Sequence, residues 1–366
     1  MASKVYFTTM RAHHESLPQK LKRLLKMAGM QQIDFDGKYT AVKIHFGELG
    51  NLAYLRPNWA KAVCDFIKDQ GGKPFLTDCN TLYVGSRKNA LDHLDTAYEN
   101  GFSPFSTGCH VIIADGLKGT DEAIVPIDGE YVKEAKIGQA VMDADIFISL
   151  NHFKGHEGTG FGGAVKNIGM GCGSRAGKME QHSAGKPLIH ADKCIGCGVC
   201  RKACAHDAIT VTERKAAINY DKCVGCGRCI GACLKDAVHD AGDETNEILC
   251  RKMAEYAWAV CKDRPHFHVS LVIDVSPLCD CYGLNDAPIL PDIGMFASFD
   301  PVALDKACVD ACLEQQPLPH THLTEMPHIC EDHFINSHPA TDWRAQLDQA
   351  EKMGLGTQEY ELIVMK

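Results

Sequence analysis

Short apolar segments alternate with longer amphipathic ones over the first 150 residues of the chain. The apolar segments are typical of buried strands, and the amphipathic ones repeat their apolar positions with the spacing of a helix. We predict strands at 41–46, 74–77, 111–114 and 145–150, and helices at 59–70, 89–100 and 131–142. This alternation predicts a parallel α/β sheet.

The segment 151–177 breaks this pattern. It is rich in glycine and carries interspersed histidine, lysine and asparagine side chains. We predict a loop that follows a strand. In open α/β sheets such loops lie at the carboxyl ends of the strands, where ligands bind.

Two runs of cysteine follow with one spacing, C-x2-C-x2-C-x3-C. The first is Cys194, Cys197, Cys200 and Cys204, and the second is Cys223, Cys226, Cys229 and Cys233. This spacing is typical of bacterial two-cluster ferredoxins, in which the fourth cysteine of each run ligates the other cluster. We therefore predict two [4Fe-4S] clusters, one on Cys194, Cys197, Cys200 and Cys233 and one on Cys223, Cys226, Cys229 and Cys204.

Zinc is the alternative ligand for paired C-x2-C motifs. The tandem recurrence of four cysteines at fixed offsets favours iron-sulfur clusters over zinc. Ala205 and Leu234 stand where proline ordinarily ends each run, a departure that removes no ligand.

The pattern of the central sheet resumes after the cysteine runs, with a strand at 268–275 and a helix at 302–313. We therefore predict a parallel-sheet α/β body with an inserted bacterial two-[4Fe-4S] ferredoxin-like module. The body comprises 1–184 and 242–366, and the module 185–241, with one motif at about 185–213 and the other at about 214–241.

Composition narrows the function classes. The net charge of -9 argues against a nucleic-acid partner. No apolar run is long enough for an export signal or a membrane span. The 19 cysteines then favour metal ligation over a disulfide framework. We therefore expect the protein to act in a reducing, anaerobic cytoplasm.

Three segments carry a family resemblance: VKIHFGE at 42–48, the stretch 151–178, and DIGMFASFDPVALDKA at 292–307. Over nearly its whole length the chain resembles the domain-of-unknown-function family 362, in the subgroup with a ferredoxin insert. The resemblance implies the fold and the clusters, and it implies no settled activity.

A more distant similarity concerns His156, Lys166 and His182 around a Gly-Gly-x-x-Lys core. Their layout resembles the nickel-pincer lactate racemase family, as does the pair Arg56-Pro57. The resemblance implies that Lys166 attaches a cofactor covalently or binds a phosphate or carboxylate, and that the two histidines serve a metal and proton transfer. We expect His156, Lys166 and His182 to be catalytic.

Further cleft residues are predicted to contact a cofactor or anion. These residues are His152, Gly160, Gly163, Asn167 and Arg56. The sequence Gly158-x-Gly160-x-x-Gly163 formally matches a dinucleotide fingerprint, but it does not open a helix directly after a strand and lacks the expected acid. The structural alternative to a binding site is a glycine-rich lid whose histidines cap backbone groups.

Other candidates carry a functional and a structural interpretation side by side. His45 and Glu48 follow a predicted strand and could reach the cleft. Cys279 and Cys281 would form a redox-active or metal-linked pair only if a turn brought both sulfurs to one side. Asp292, Asp300 and Asp305 are interpreted as helix caps and turn residues.

The prediction for function is an iron-sulfur electron-transfer protein or oxidoreductase. Its clusters would pass electrons to or from a ligand in the α/β cleft, with a redox partner protein or a small anionic substrate. The alternative is a ferredoxin-like carrier or binding protein with no chemistry in the cleft. A flavin or another metal in the cleft stays open.

Overall fold

The computed structural model describes residues 2–83, 85–182, 186–241 and 245–365. Its strands are β1 (Ser3–Thr9), β2 (Tyr39–Lys43), β3 (Lys73–Asp78), β4 (Val111–Ile113), β5 (Glu122–Pro126), β6 (Glu134–Gly138), β7 (Ile146–His152), β8 (Lys154–His156), β9 (Gly160–Gly162), β10 (Pro187–Ile189), β11 (Ile209–Thr212), β12 (Lys215–Ile218), β13 (Val238–Asp240), β14 (His266–Val272), β15 (Gly294–Ser298) and β16 (Tyr360–Val364).

The helices include both long packing helices and single turns. They are α1 (Leu17–Met27), α2 (Pro57–Lys68), α3 (Ala90–Glu99), α4 (Pro104–Thr107), α5 (Gln139–Asp143), α6 (Ala164–Cys172), α7 (Arg175–His182), α8 (Val199–Ala203), α9 (Arg228–Ala232), α10 (Asn246–Cys261), α11 (Pro301–Leu313), α12 (His322–Glu325), α13 (His333–Ser337) and α14 (Arg344–Lys352). A 3-10 turn spans Met30–Gln32. Of the described helices, none is both long and apolar enough to cross a lipid bilayer.

The central sheet has eight strands in the order β16-β1-β15-β14-β7-β2-β3-β4. The five strands from β14 to β4 run parallel, and β1 runs parallel to β16. The predicted α/β sheet is therefore confirmed, with one departure: β15 is antiparallel to both of its neighbours. The connection 273–293 contains no described helix, so the chain returns from β14 without the crossover that a parallel neighbour needs.

Helices cover both faces of this sheet. On β2 and β7, neighbouring residues point to opposite faces: Ala41 and Phe147 pack on one side, Val42 and Ile148 on the other. Helices α6, α10, α11 and α14 contribute to the first core and α1, α2 and α3 to the second. Strands buried on both faces explain the continuous apolar runs in the sequence.

Two predictions about secondary structure are wrong. The segment 131–142 contains strand β6 and the start of the short helix α5 instead of one long helix, because buried Ala135 and Ile137 alternate with the more exposed Glu134 and Lys136 and the strand pairs with β5. The segment 151–177 contains β8, β9, α6 and the start of α7 instead of a loop. Its glycines allow close packing of helices: a Cβ at Gly169 would collide with the carbonyl oxygen of Met253 on α10.

The segment 186–241 forms a separate small unit outside the central sheet. It contains the antiparallel pairs β10–β13 and β11–β12 together with α8 and α9. It packs on the body through an apolar cluster that joins Leu82 and Met179 to Cys229 and Ile230. Lys88 adds an ion pair of 3.1 Å with Asp236.

Candidate functional site

A cavity of about 420 Å³ opens where four neighbouring parallel strands end. Strands β2, β3, β7 and β14 all run in the same direction, so the residues that follow them meet at one edge of the sheet. The side chains that line the cavity include Lys43, His45, Asp78, Arg87, Lys154, His156, Glu157, Lys166, Asn167, Lys178, His182 and Cys281. The cleft predicted from the sequence is therefore present.

One wall of the cleft is a buried ionic network. Lys43 Nζ lies 3.0 Å from Asp78 Oδ1 and donates to Asn167 Oδ1 at 2.8 Å. Arg87 lies 3.0 Å from Glu48 Oε2 and donates to the hydroxyl of Tyr83 at 2.8 Å. These charges are partnered within the protein, so this wall is held rigid before any ligand binds.

Two further ammonium groups in the cleft lining have weaker partners. Lys166 Nζ donates to Cys279 Sγ at 3.5 Å, and Lys178 Nζ donates to the carbonyl oxygen of Gly173 at 2.6 Å. Within the described ranges, neither ammonium lies within 4.0 Å of a carboxylate. Burial opposes the charge of Lys166, but Cys279 and Cys281 outweigh it and raise the pKa of that lysine. The cleft therefore favours an anionic ligand.

His45 and His182 are held neutral at ordinary pH. Burial, together with Arg87, lowers the pKa of His45 well below its usual value. Burial also lowers the pKa of His182 to about 4, with a further contribution from His156, Lys166 and Lys178. A neutral imidazole keeps a lone pair on one ring nitrogen, so His182 can accept a hydrogen bond from a ligand.

The three residues predicted to be catalytic meet in this cleft. His156, Lys166 and His182 all line it, and Asn167 lies beside them. One ring nitrogen of His156 and the sulfurs of Cys279 and Cys281 lie within 4.8 Å of one another beside these residues.

Four residues predicted to bind a cofactor do not line the cleft. His152 is buried and bonds Asp280 and the carbonyl oxygen of Ile273. Arg56 is exposed at the start of α2. A Cβ on Gly160 would press on Trp343, and one on Gly163 would collide with the Asp305 carboxylate.

The carboxylate of Asp305 leaves no room for a side chain at Gly163, the residue before α6. The same carboxylate accepts hydrogen bonds from the backbone N–H groups of Ala164 and Val165, at 2.7 and 2.9 Å. It thereby caps the helix that carries Lys166 and Asn167. Asp300 caps α11 in the same way, through Val302 and Ala303.

The sequence analysis missed Lys43, Asp78, Arg87 and Lys178 as cleft residues. Lys43 and Lys178 lie inside the family-like segments, and Asp78 ends a predicted strand, so each had a signal. Arg87 had none, because its partner Glu48 lies 39 residues away along the chain.

The cysteines of the two runs surround two further small cavities. One is lined by Cys194, Cys197, Cys200 and Cys233, and the other by Cys204, Cys223, Cys226 and Cys229. In each pocket, the fourth cysteine comes from the other run. This happens because α8 and α9 pack side by side, so that Cys204 and Cys233, which follow the two helices, each lie beside the cysteines of the other run. Four thiols in one pocket can hold a metal centre.

Backbone groups around these pockets point at sulfur. The N–H groups of Ala208, Ala216 and Ala237 donate to Cys204, Cys194 and Cys233 at 3.3 to 3.4 Å. Gly196, Gly198, Gly225 and Gly227 have φ of 65 to 74°, a backbone conformation that other residues rarely adopt. Turns of this kind expose successive N–H groups to an anionic centre.

The fold and these sites define an α/β protein with a cationic cleft and a cysteine-rich unit able to hold metal. The chain belongs to the family described as Domain of unknown function (DUF362), whose model matches residues 40–310.

Comparisons with individual proteins are more distant. A thylakoid-associated protein of Synechocystis is 27% identical over 131 residues, which is 36% of each chain. The lactate racemase apoprotein from Thermoanaerobacterium thermosaccharolyticum is 10% identical with a TM-score of 0.37, over 74% of this chain and 51% of that one. A Thermotoga maritima protein is 13% identical with a TM-score of 0.42, over 81% and 57%. The chain thus spans about a third of the length of the curated relative.

Proposed function

We propose that this protein transfers electrons through two [4Fe-4S] clusters in 186–241 to or from a small anionic ligand in the cleft. The observation that carries the proposal is the exchange of the fourth cysteine between the two four-cysteine pockets. Two-cluster ferredoxins use this exchange, whereas a structural zinc site needs no such pairing.

The donors around each pocket fit such a cluster. Four thiolates supply the ligands, and backbone N–H groups directed at sulfur offset negative charge. When bound, the clusters would supply one-electron transfer. The protein's own contribution is to hold the thiolates in place and to direct backbone N–H groups at them.

The contact between the small unit and the body supports electron transfer toward the cleft. Leu82 lines the cleft and also belongs to the apolar cluster that contains Cys200 and Cys229. Arg175 lies against Gly227 and Gly231, so the second cysteine run packs directly on α7, which carries Lys178 and His182. The ligand would be positioned by Lys166, Lys178 and Asn167, with neutral His182 as a hydrogen-bond acceptor.

Two double variants test the exchanged pairing. The first variant, Cys194→Ser with Cys204→Ser, changes two cysteines of the same run and removes one ligand from each pocket. The second variant, Cys194→Ser with Cys233→Ser, changes one cysteine of each run and removes two ligands from a single pocket. After anaerobic reconstitution, we expect both centres to be damaged in the first variant and about four irons to remain in the second.

The opposite pattern would contradict the pairing, because sequential ligation spares one centre in the first variant and damages both in the second. Cys330→Ser is the matched control, since Cys330 lies outside both pockets. It should keep the full iron content.

A further inference from the structure

Cys279 and Cys281 lie together on a tight turn that follows β14. The N–H of Tyr282 donates to the carbonyl oxygen of Cys279 at 3.1 Å, and this turn brings both sulfurs to the same side. An extended segment would have separated them. The turn that a redox-active pair of these two cysteines requires is therefore present.

The residue between them anchors the turn. Asp280 is fully buried, and its carboxylate lies 2.8 Å from His152 Nδ1 and 3.8 Å from Lys154 Nζ. Its carbonyl oxygen accepts the N–H of Glu48 at 2.9 Å. His152 is thus a positioning residue for the cysteine pair.

The surroundings of the pair favour a thiolate over a metal ion. His156 Nδ1 accepts the N–H groups of Gly158 and Thr159 at 3.0 and 3.1 Å, so the ring proton of the neutral imidazole lies on Nε2. A nitrogen that carries a proton donates to sulfur and offers no lone pair to a metal. Lys166 Nζ is a second donor, 3.5 Å from Cys279 Sγ.

The two sulfurs lie within 4.8 Å of each other, and their surroundings affect them in opposite ways. The hydrogen bond from Cys281 outweighs burial and, with Lys166, Lys154 and His156, lowers the pKa of Cys279 well below its usual value. The same hydrogen bond raises the pKa of Cys281. Cys281 lines the cleft while Cys279 is buried behind it, so a molecule in the cleft can reach the pair through Cys281.

We propose that Cys279 and Cys281 are a redox-active dithiol that exchanges two electrons with the clusters. On oxidation, a sulfur–sulfur bond forms, the S–H bond of Cys281 breaks, and one proton and two electrons leave. On reduction, the disulfide accepts two electrons, one from each reduced cluster, and takes up one proton. The source of the electrons rests on the proposed function; the dithiol itself rests on the cleft geometry alone.

The holoprotein, oxidised anaerobically with diamide, is titrated with dithionite and sampled by alkylation and peptide mass analysis. We expect wild type to take up about four electrons, two that bleach the visible absorption of the clusters and two that make the 279–281 peptide alkylatable. Cys281→Ser should take up about two. Cys330→Ser should behave as wild type.

A second variant tests the thiolate. Lys166→Ala removes a cationic donor from Cys279, and we expect alkylation of the reduced pair by iodoacetamide at pH 7 to slow by about tenfold. Unchanged iron content and an unchanged rate at Cys330 would show that the variant is folded.

Three results would overturn the inference. In the first, the cysteine pair stays reduced in diamide. In the second, the pair oxidises, but dithionite bleaches the clusters without reducing the disulfide. In the third, the protein binds a divalent metal other than iron and loses it in Cys279→Ser. Absence of the clusters would instead contradict the proposed function, and dithiothreitol in place of dithionite would still test reversible oxidation of the pair.

Discussion

The cysteine-rich unit and the cleft are built in opposite ways. The eight cysteines of the unit lie within 194–233, and their spacing fixes which sulfurs meet. The cleft collects side chains from Lys43 to Cys281, brought together only by the order of the strands. A local site can be recognised from a motif, whereas a site assembled from distant segments needs the topology.

The two regions also differ in what holds them together. The body buries two large apolar cores against its sheet. The unit has one small cluster, part of which belongs to the body. A unit this small usually depends on bound metal for its fold.

The largest expected effect follows from this difference. If iron is removed with a chelator under reducing conditions, 186–241 should unfold and become sensitive to protease, while the body stays resistant. Limited proteolysis with mass analysis locates the cuts. Equal protection of both regions in the iron-free protein would mean that the unit folds on its own core.

The next effect concerns the ionic wall of the cleft. Asp78→Asn leaves the buried ammonium of Lys43 without its carboxylate, and we expect a loss of about 3 to 5 kcal/mol in the free energy of unfolding. Denaturant unfolding of the body measures it. A loss below about 1 kcal/mol would contradict the pair's role.

The same ion pair gives a pH dependence. Burial opposes ionisation of Asp78, but the charges of Lys43 and Arg87 outweigh it and lower its pKa. A pKa lower in the folded than in the unfolded state contributes stability above about pH 4, and this stability is lost as the pH falls further. Asp78→Asn should flatten that part of the stability profile.

Packing at the start of α6 should give a smaller effect. Gly163→Ala forces a methyl group against the Asp305 carboxylate, and we expect about 1 to 3 kcal/mol of destabilisation. Gly158→Ala is the matched control, since its added Cβ meets no atom closer than 3.5 Å. Equal unfolding midpoints for the two variants would argue against a cap by Asp305.

The smallest effect separates the cleft from its neighbourhood. Arg56 is exposed and lies outside the cleft lining. Arg56→Ala should leave the iron content and the alkylation rate of Cys281 unchanged, in contrast to Lys166→Ala. A slower alkylation rate of Cys281 in Arg56→Ala would mean that Arg56 contributes to the cleft, as the resemblance of Arg56-Pro57 to the racemase family predicted.

Periodicity predicted most strands of the parallel part of the sheet, because strands buried on both faces are continuous apolar runs. It failed where glycine served packing: Gly169 and Gly177 lie in helices that touch neighbouring backbone. His156, Lys166 and His182 were found through one short segment. Arg87 was not, because its partner Glu48 lies 39 residues away and the ion pair leaves no spacing in the sequence.

The most direct test of the central claim is an anaerobic count of iron and acid-labile sulfide per chain, with the electrons taken up on reduction of the clusters. The account predicts about eight irons, about eight sulfides and about two electrons that bleach the visible absorption. Zinc in place of iron after reconstitution, or iron without labile sulfide, would contradict it.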